Sequence, residues 1–228
     1  MKKANLLCCL GLLLLSACRS DEKSTQESQE RSPEKVVVFP GPEVTTIGFS
    51  RKDTVLGYTL DIKYPAIREH EVFNAAVRSN LEAAINEFIT FIKDFEGEGR
   101  VLTSEYKLIR NTSLATSVRQ QYEWAVPGVS TLQYRFHNVN YNPETKHLIS
   151  LGSLFQEGAA YQPLLRNKLA EKISTRFEVT PDITNEDLQT FVIGPDYLEF
   201  YKVLYPDVMD PAPKAFKVMF SELGEVLK

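Results

Sequence analysis

The chain has 228 residues, with 26 Lys and Arg against 30 Asp and Glu, a net charge of −4 at pH 7. That length suffices for one domain with a sizeable apolar core, and the acidic balance leaves no basic footprint for nucleic acid. All three cysteines, Cys8, Cys9 and Cys18, fall near the start, so the rest can form no internal disulfide and must rest on its own packing.

Lys2 and Lys3 precede an apolar run from Leu6 to Leu15, and the small residues Ser16 and Ala17 lead into Cys18. A spanning helix needs about 20 apolar residues, so this run is too short to cross a bilayer and has the layout of a secretory signal. Leu15, Ser16, Ala17 and Cys18 resemble a bacterial lipobox, which implies cleavage before Cys18 and acylation of its thiol. An ordinary cleaved signal with an incidental cysteine is the alternative. Residues 1–17 are expected to be a lipoprotein signal peptide, and losing Lys2 and Lys3 with it takes the net charge to −6. An acidic exported domain suits basic partners.

Residues 18–43 are expected to be the lipidated cysteine and a disordered tether. The stretch 19–35 holds no large apolar residue and is rich in Ser, Glu, Gln and Lys, so it cannot offset the entropy of ordering. A flexible segment of that length averages roughly 20–25 Å end to end, which stands the domain off the lipid. Arg19, where enteric lipoproteins held at the inner membrane have Asp, implies an outer-membrane location, periplasmic or surface-facing. Asp21 and Glu22 resemble the surface-export signals of some Bacteroidota lipoproteins.

From 44 to 228 the pattern is that of an α+β domain. Tyr58, Leu60, Ile62 and Tyr64 alternate as in a half-buried strand that Pro65 ends. Phe73, Val77, Leu81, Ile85, Phe88 and Ile92 then recur at helical spacing, predicting a helix over about 68–95 that stops at Gly97 and Gly99. "SEYKLIR" and "ATSVRQQYEWAV" read as strands, followed by a hairpin of "STLQYRFHNVNY" and "KHLISL". With Tyr141 facing Lys146, the hairpin presents Leu132, Tyr134, Phe136, Ile149 and Leu151 as a core face. A second helix over about 162–178, with Pro163 in its first turn, carries Leu165, Leu169, Ile173 and Phe177. Thr184 and Asp187 have capping-box spacing; "TFVIG", "YLEFYKVLY" and "AFKVMF" close the chain as strands, with Ser221 capping a last short helix. Antiparallel sheets under two long helices are expected, divisible into lobes 44–127 and 128–228 near Pro127 and Gly128.

Chemistry is sparse in this pattern. His70, His137 and His147 form no dense ligand motif, and His137 and His147 fall on opposite faces of their hairpin, so no metal site and no cofactor are assigned. "GVSTL" lacks the second glycine of a nucleophile elbow, which makes Ser130 a strand-edge serine. Asp61, Glu105 and Glu123 sit on predicted strands, where a carboxylate pair for glycan hydrolysis is conceivable and solvated surface acids are the ordinary reading. No residue is assigned as catalytic. Tyr197, Tyr201 and Tyr205 share one parity of their strand while Leu198, Phe200 and Leu204 share the other. If the tyrosine row is exposed, it and Trp124 are the candidate anchors for a sugar or protein partner; if helix and loop cover both faces, they are core.

Three stretches carry a family likeness: Tyr64 and Pro65 with the following helix and Asn74, the hairpin "LQYRFHNVNYNPETKHLISLGSLF", and "YLEFYKVLYP" with "AFKVMFSEL". Together they resemble domain-of-unknown-function families 3298 and 4163, found in bacterial lipoproteins, beside polysaccharide deacetylases and in lysozyme-sensing anti-sigma factors. The resemblance implies an α+β envelope module that is not itself the catalyst. "AVPGVST" stands where many relatives have a glycine-rich, histidine-containing loop, a departure that withholds any role resting on that loop. The expectation is therefore a non-catalytic lipid-anchored envelope protein binding a protein or peptidoglycan partner. Its alternatives are an envelope glycan hydrolase or deacetylase, and a sensor or inhibitor of a basic enzyme such as lysozyme.

Overall fold

Strands β1 (Val44–Asp53) and β2 (Tyr58–Ile67) pair antiparallel in full register. Their turn is set by Asp53, whose Oδ1 accepts the N–H groups of Val55 and Leu56 at 3.0 and 2.8 Å, and by Gly57 at φ 64°, where glycine avoids the steric cost of a side chain. The computed structural model describes residues 39–228 apart from 96, 130–131, 205–209 and 211. The readings for the signal peptide, Cys18, the tether to residue 38, Ser130 and Tyr205 lie outside the described residues.

Pro65 does not end β2. Strand β3 (Arg100–Asn111) pairs with β2 only from Tyr58 to Ile62, so Pro65 has β1 on one side and, among the described residues, no strand on the other, a position where a missing N–H is tolerated. Between β2 and β3 runs helix α1 (Glu71–Ile92), which buries Phe73, Val77, Leu81, Ala84, Phe88 and Ile92. Asn74 fastens its start to the sheet, its Oδ1 accepting the Ile67 N–H at 2.9 Å and its Nδ2 donating to the Ile67 carbonyl at 2.8 Å. The helix returns the chain to the end where β2 began, which makes β2 and β3 parallel within a sheet that sequence alone suggested was antiparallel.

Strands β4 (Thr116–Ala125), β5 (Gln133–Asn142) and β6 (His147–Leu148) complete a six-stranded sheet in the order β1-β2-β3-β4-β5-β6. The β5–β6 turn has the expected four residues, but it pairs Tyr141 with Leu148 and Asn142 with His147, two places from the predicted register. Asn142 Oδ1 sets that turn by accepting from the N–H groups of Glu144 and Thr145. The face packed under α1 is also the other one: Val139 and Tyr141 join Val118, Phe73 and Val77 there, while Leu132 is 39 % exposed. Both faces of β5 are covered near its end, so apolar alternation could not single one out.

Helix α2 (Tyr161–Phe177) buries Leu165, Leu169 and Ile173. Helix α3 (Asn185–Gln189) has the predicted capping box of Thr184 and Asp187. Strands β7 (Val192–Ile193), β8 (Tyr197–Lys202) and β9 (Lys214–Met219) form a second, antiparallel sheet. Ser221 does not cap helix α4 (Phe220–Leu223) but lies inside it; the Glu222 carboxylate accepts the Met219 N–H at 2.7 Å instead. One set of buried clusters joins β2–β5 with α1, and another joins α2, α3 and β7–β9 with Leu151 and Phe155. The change-over lies near Leu151 and not at Pro127 and Gly128, which link β4 to β5 inside one sheet.

Candidate functional site: the polar face of the larger sheet

The side of the six-stranded sheet away from α1 is polar, and its register decides which groups meet. Ser50, Asp61, Thr103, Glu123 and Tyr134 lie in one row across β1 to β5, with Glu105, Gln121 and Phe136 in the next. Strands stand about 4.8 Å apart, so the backbones bearing Asp61 and Glu123 are about 10 Å apart, with Thr103 between them and Glu105 two residues further along β3. A groove of about 280 Å³ opens there, floored by Asp61, Lys63, Thr103, Glu105, Gln121 and Glu123. The three carboxylates singled out on separate strands are thus brought together. Burial first, then the carboxylates of Glu123 and Asp210, push the Tyr134 phenol above its ordinary range.

Every residue flooring this groove comes from three adjacent strands of one sheet. The carboxylates rise side by side, and among the described residues lining the groove none stands across from another, as an acid and a base flanking a glycosidic bond would. What the arrangement offers is a set of acceptors tempered by Lys63 and Gln121, suited to cations and hydroxyl groups.

The neighbouring part of the same face is covered by β8 and β9. There Arg119 Nη1 donates to Tyr201 Oη at 2.8 Å and lies 3.9 Å from Glu199 Oε1, with its guanidinium over the rings of Phe136 and Tyr201 at 5.2 and 4.9 Å. Tyr201 Oη donates to Glu199 Oε1, and Lys217 Nζ lies 3.9 Å from the other carboxylate oxygen. Burial pulls the Arg119 guanidinium below its ordinary range while Glu199 pushes it back.

These contacts bury two of the candidate aromatic anchors, Tyr201 and Trp124. Tyr201 is 4 % exposed and Trp124 1 %: both faces of β8 are covered, and the Trp124 indole packs against Phe88 and Phe91 with Arg135 over its ring. Tyr197 is half-buried, with Lys217 Nζ 4.0 Å from its ring centroid. Its other side closes on Gly194, where an added Cβ would come within 2.4 Å of the ring. No open tyrosine row exists among the described residues.

Two of the three histidines make packing or hydrogen-bonding contacts. His70 Nδ1 lies 2.8 Å from Tyr141 Oη, and His137 meets the Tyr122 ring edge-on at 5.6 Å. His147 is exposed, on the opposite sheet face from His137 as expected. A larger cavity of about 540 Å³, which no sequence signal announced, forms where Arg110, Leu114, Leu148, Ile193, Phe220 and Leu227 converge from distant elements.

Among the described residues, no helix is long and apolar enough to cross a membrane. No protein-family model and no curated protein matches the sequence. Solved structures do match the fold. A DUF3298 family protein from Pseudomonas aeruginosa superposes with a TM-score of 0.54 at 12 % identity, covering 82 % of this chain and 94 % of the other. A member of the same family from Bacteroides fragilis gives 0.55 at 14 % identity, covering 84 % and 96 %. The chain is an α+β protein with the fold of the DUF3298 family structures.

Proposed function

We propose that this chain is a non-catalytic, lipid-anchored protein of the bacterial envelope that binds a protein or cell-wall glycan partner through the open part of its polar sheet face. The lipobox-like run ending in Cys18 and the polar stretch after it support the anchor and tether. The observation that carries the binding reading is the contrast along one sheet face. Where the second sheet covers it, Arg119, Glu199 and Lys217 lie against one another; elsewhere among the described residues, Asp61, Glu105 and Glu123 line an open groove. That acidity also favours a second reading, a sensor or inhibitor of a basic enzyme such as lysozyme.

Labelling cells with a palmitate analogue should tag the wild-type chain and leave Cys18→Ala untagged; equal labelling would overturn the anchor. For the groove, partners recovered by crosslinking in envelopes should bind the Asp61→Asn, Glu105→Gln, Glu123→Gln triple variant at least tenfold more weakly, equivalent to about 1.4 kcal/mol. Association should slow as salt is raised. Unchanged affinity in the folded triple variant would remove the groove, and turnover of peptidoglycan fragments by the purified chain would establish the hydrolase reading instead.

A further inference from the structure

The cavity of about 540 Å³ where Arg110, Ile193, Phe220 and Leu227 converge has the size of a small-molecule site. Hydrogen bonds pin its walls. The Phe220 N–H donates to the Asp196 carbonyl at 2.9 Å, the Lys228 N–H to the Leu154 carbonyl at 3.0 Å, and the Gln156 N–H to the Val226 carbonyl at 2.9 Å. The space is therefore built into the fold, so a ligand need not open it.

Two features of the lining select an occupant. Leu114, Leu148, Ile149, Ile193, Phe220 and Leu227 supply an apolar wall, and it reaches the opening, since Leu114 and Leu148 are 41 % and 51 % exposed. The second feature is charge of one sign. In a chain of net charge −4, the ionisable side chains among the described residues lining this cavity are Arg110, His147 and Lys228, with no Asp or Glu. Arg110 is half-buried and is held by the bond from its Nη1 to the Gly194 carbonyl at 2.9 Å, yet it makes no ion pair among the described residues. Elsewhere Arg119, Lys172 and Lys202 meet Glu199, Glu222 and Asp187. A half-buried guanidinium without a counter-ion, set beside an apolar wall, gains most from a ligand that brings both a carboxylate and an apolar body. An uncharged apolar molecule would leave the guanidinium unpaired, and a small hydrophilic anion would leave the wall wet.

We propose that this cavity binds a small amphipathic carboxylate, its head on Arg110 and its apolar body against Ile193, Phe220 and Leu227. The cavity shares no lining residue with the acidic groove, whose carboxylates would repel such a ligand. The proposal therefore stands whether or not the groove binds a partner, and it does not depend on Cys18.

The compact unit Val37–Lys228 holds both cores entire, so it can be titrated without the apolar run at 6–15, which would itself take up amphiphiles. The probes are octanoate, octanol and octyltrimethylammonium, followed by amide chemical shifts. Octanoate should bind at least tenfold more tightly than either of the others and move the amides of 110–115 and 147–154. Arg110→Gln should weaken it at least fivefold. Because that variant also loses the bond to Gly194, a second pair isolates charge at an exposed position: Leu148→Glu should bind octanoate at least fivefold more weakly than Leu148→Gln. Val55→Glu, the same added charge on a turn residue 92 % exposed, should bind as the wild type does. Octanoate bound no more tightly than octanol, equal affinity in Leu148→Glu and Leu148→Gln, or shifts centred away from the cavity would each overturn the proposal.

Discussion

Arg119 brings a positive charge into the seam between the two sheets, where a lone guanidinium would be costly. Its cost is offset by three groups that sequence could not place beside it: the Tyr201 hydroxyl, the Glu199 carboxylate and the Phe136 ring. His137 poses the same problem with no charge partner close enough to win. Burial lowers its pKa from 6.5, Glu87 raises it and Arg135 lowers it again, with a net fall. The unfolded chain therefore binds the proton more readily than the folded one. Stability from this residue is present above pH 6.5 and is lost as pH falls through the depressed folded value. Lowering pH from 7.5 to 5.5 should reduce the thermal midpoint, and His137→Gln should flatten that fall. The carboxylates of Asp53, Asp210 and Glu222 act only at lower pH, since their values are depressed from 3.8, 3.8 and 4.5. A pH slope unchanged in His137→Gln would show that another group controls it.

At the scale of elements, what sequence made legible follows from periodicity facing a single core. Helices α1 and α2 each lay one apolar stripe on one surface, so Phe73 to Ile92 and Leu165 to Ile173 are readable from spacing alone. The capping box at Thr184 is local chemistry and needs no tertiary context. Where an element has two buried faces or none, the pattern loses its meaning. Strand β8 is buried on both sides, so alternation alone leaves open whether Tyr197 and Tyr201 face solvent or a seam. Strand β1 has no fully buried position, so no apolar alternation marks it in the sequence. The groove was half legible: Asp61, Glu105 and Glu123 were visible as strand carboxylates, but their convergence depends on the β2–β3 parallel register, which α1 imposes from outside the sheet.

For the molecule as a whole, the consequence is that two apolar cores meet through a largely polar seam, and side chains stitch them together. Asn140 Nδ2 donates to the Phe191 carbonyl at 2.9 Å while its Oδ1 accepts the Ile193 N–H at 3.1 Å, which makes the buried amide stand in for a neighbouring strand along β7. Asn138 donates to the Thr190 carbonyl and Arg110 to the Gly194 carbonyl, so three side chains of the larger sheet hold the backbone of 190–194. Asn140→Ala would take away the partners of the Ile193 N–H and the Phe191 carbonyl at a site 6 % exposed, and each group left unsatisfied costs about 1–3 kcal/mol. Because the Asn140 side chain lies on the face away from α1, the loss should fall unevenly. Amide hydrogen exchange in the Asn140→Ala variant should quicken across β7, β8 and α3, while β2, β3 and α1, packed in their own core, keep their protection. Equal acceleration in both sets would mean that the two cores open as one unit and that the seam is as cohesive as either.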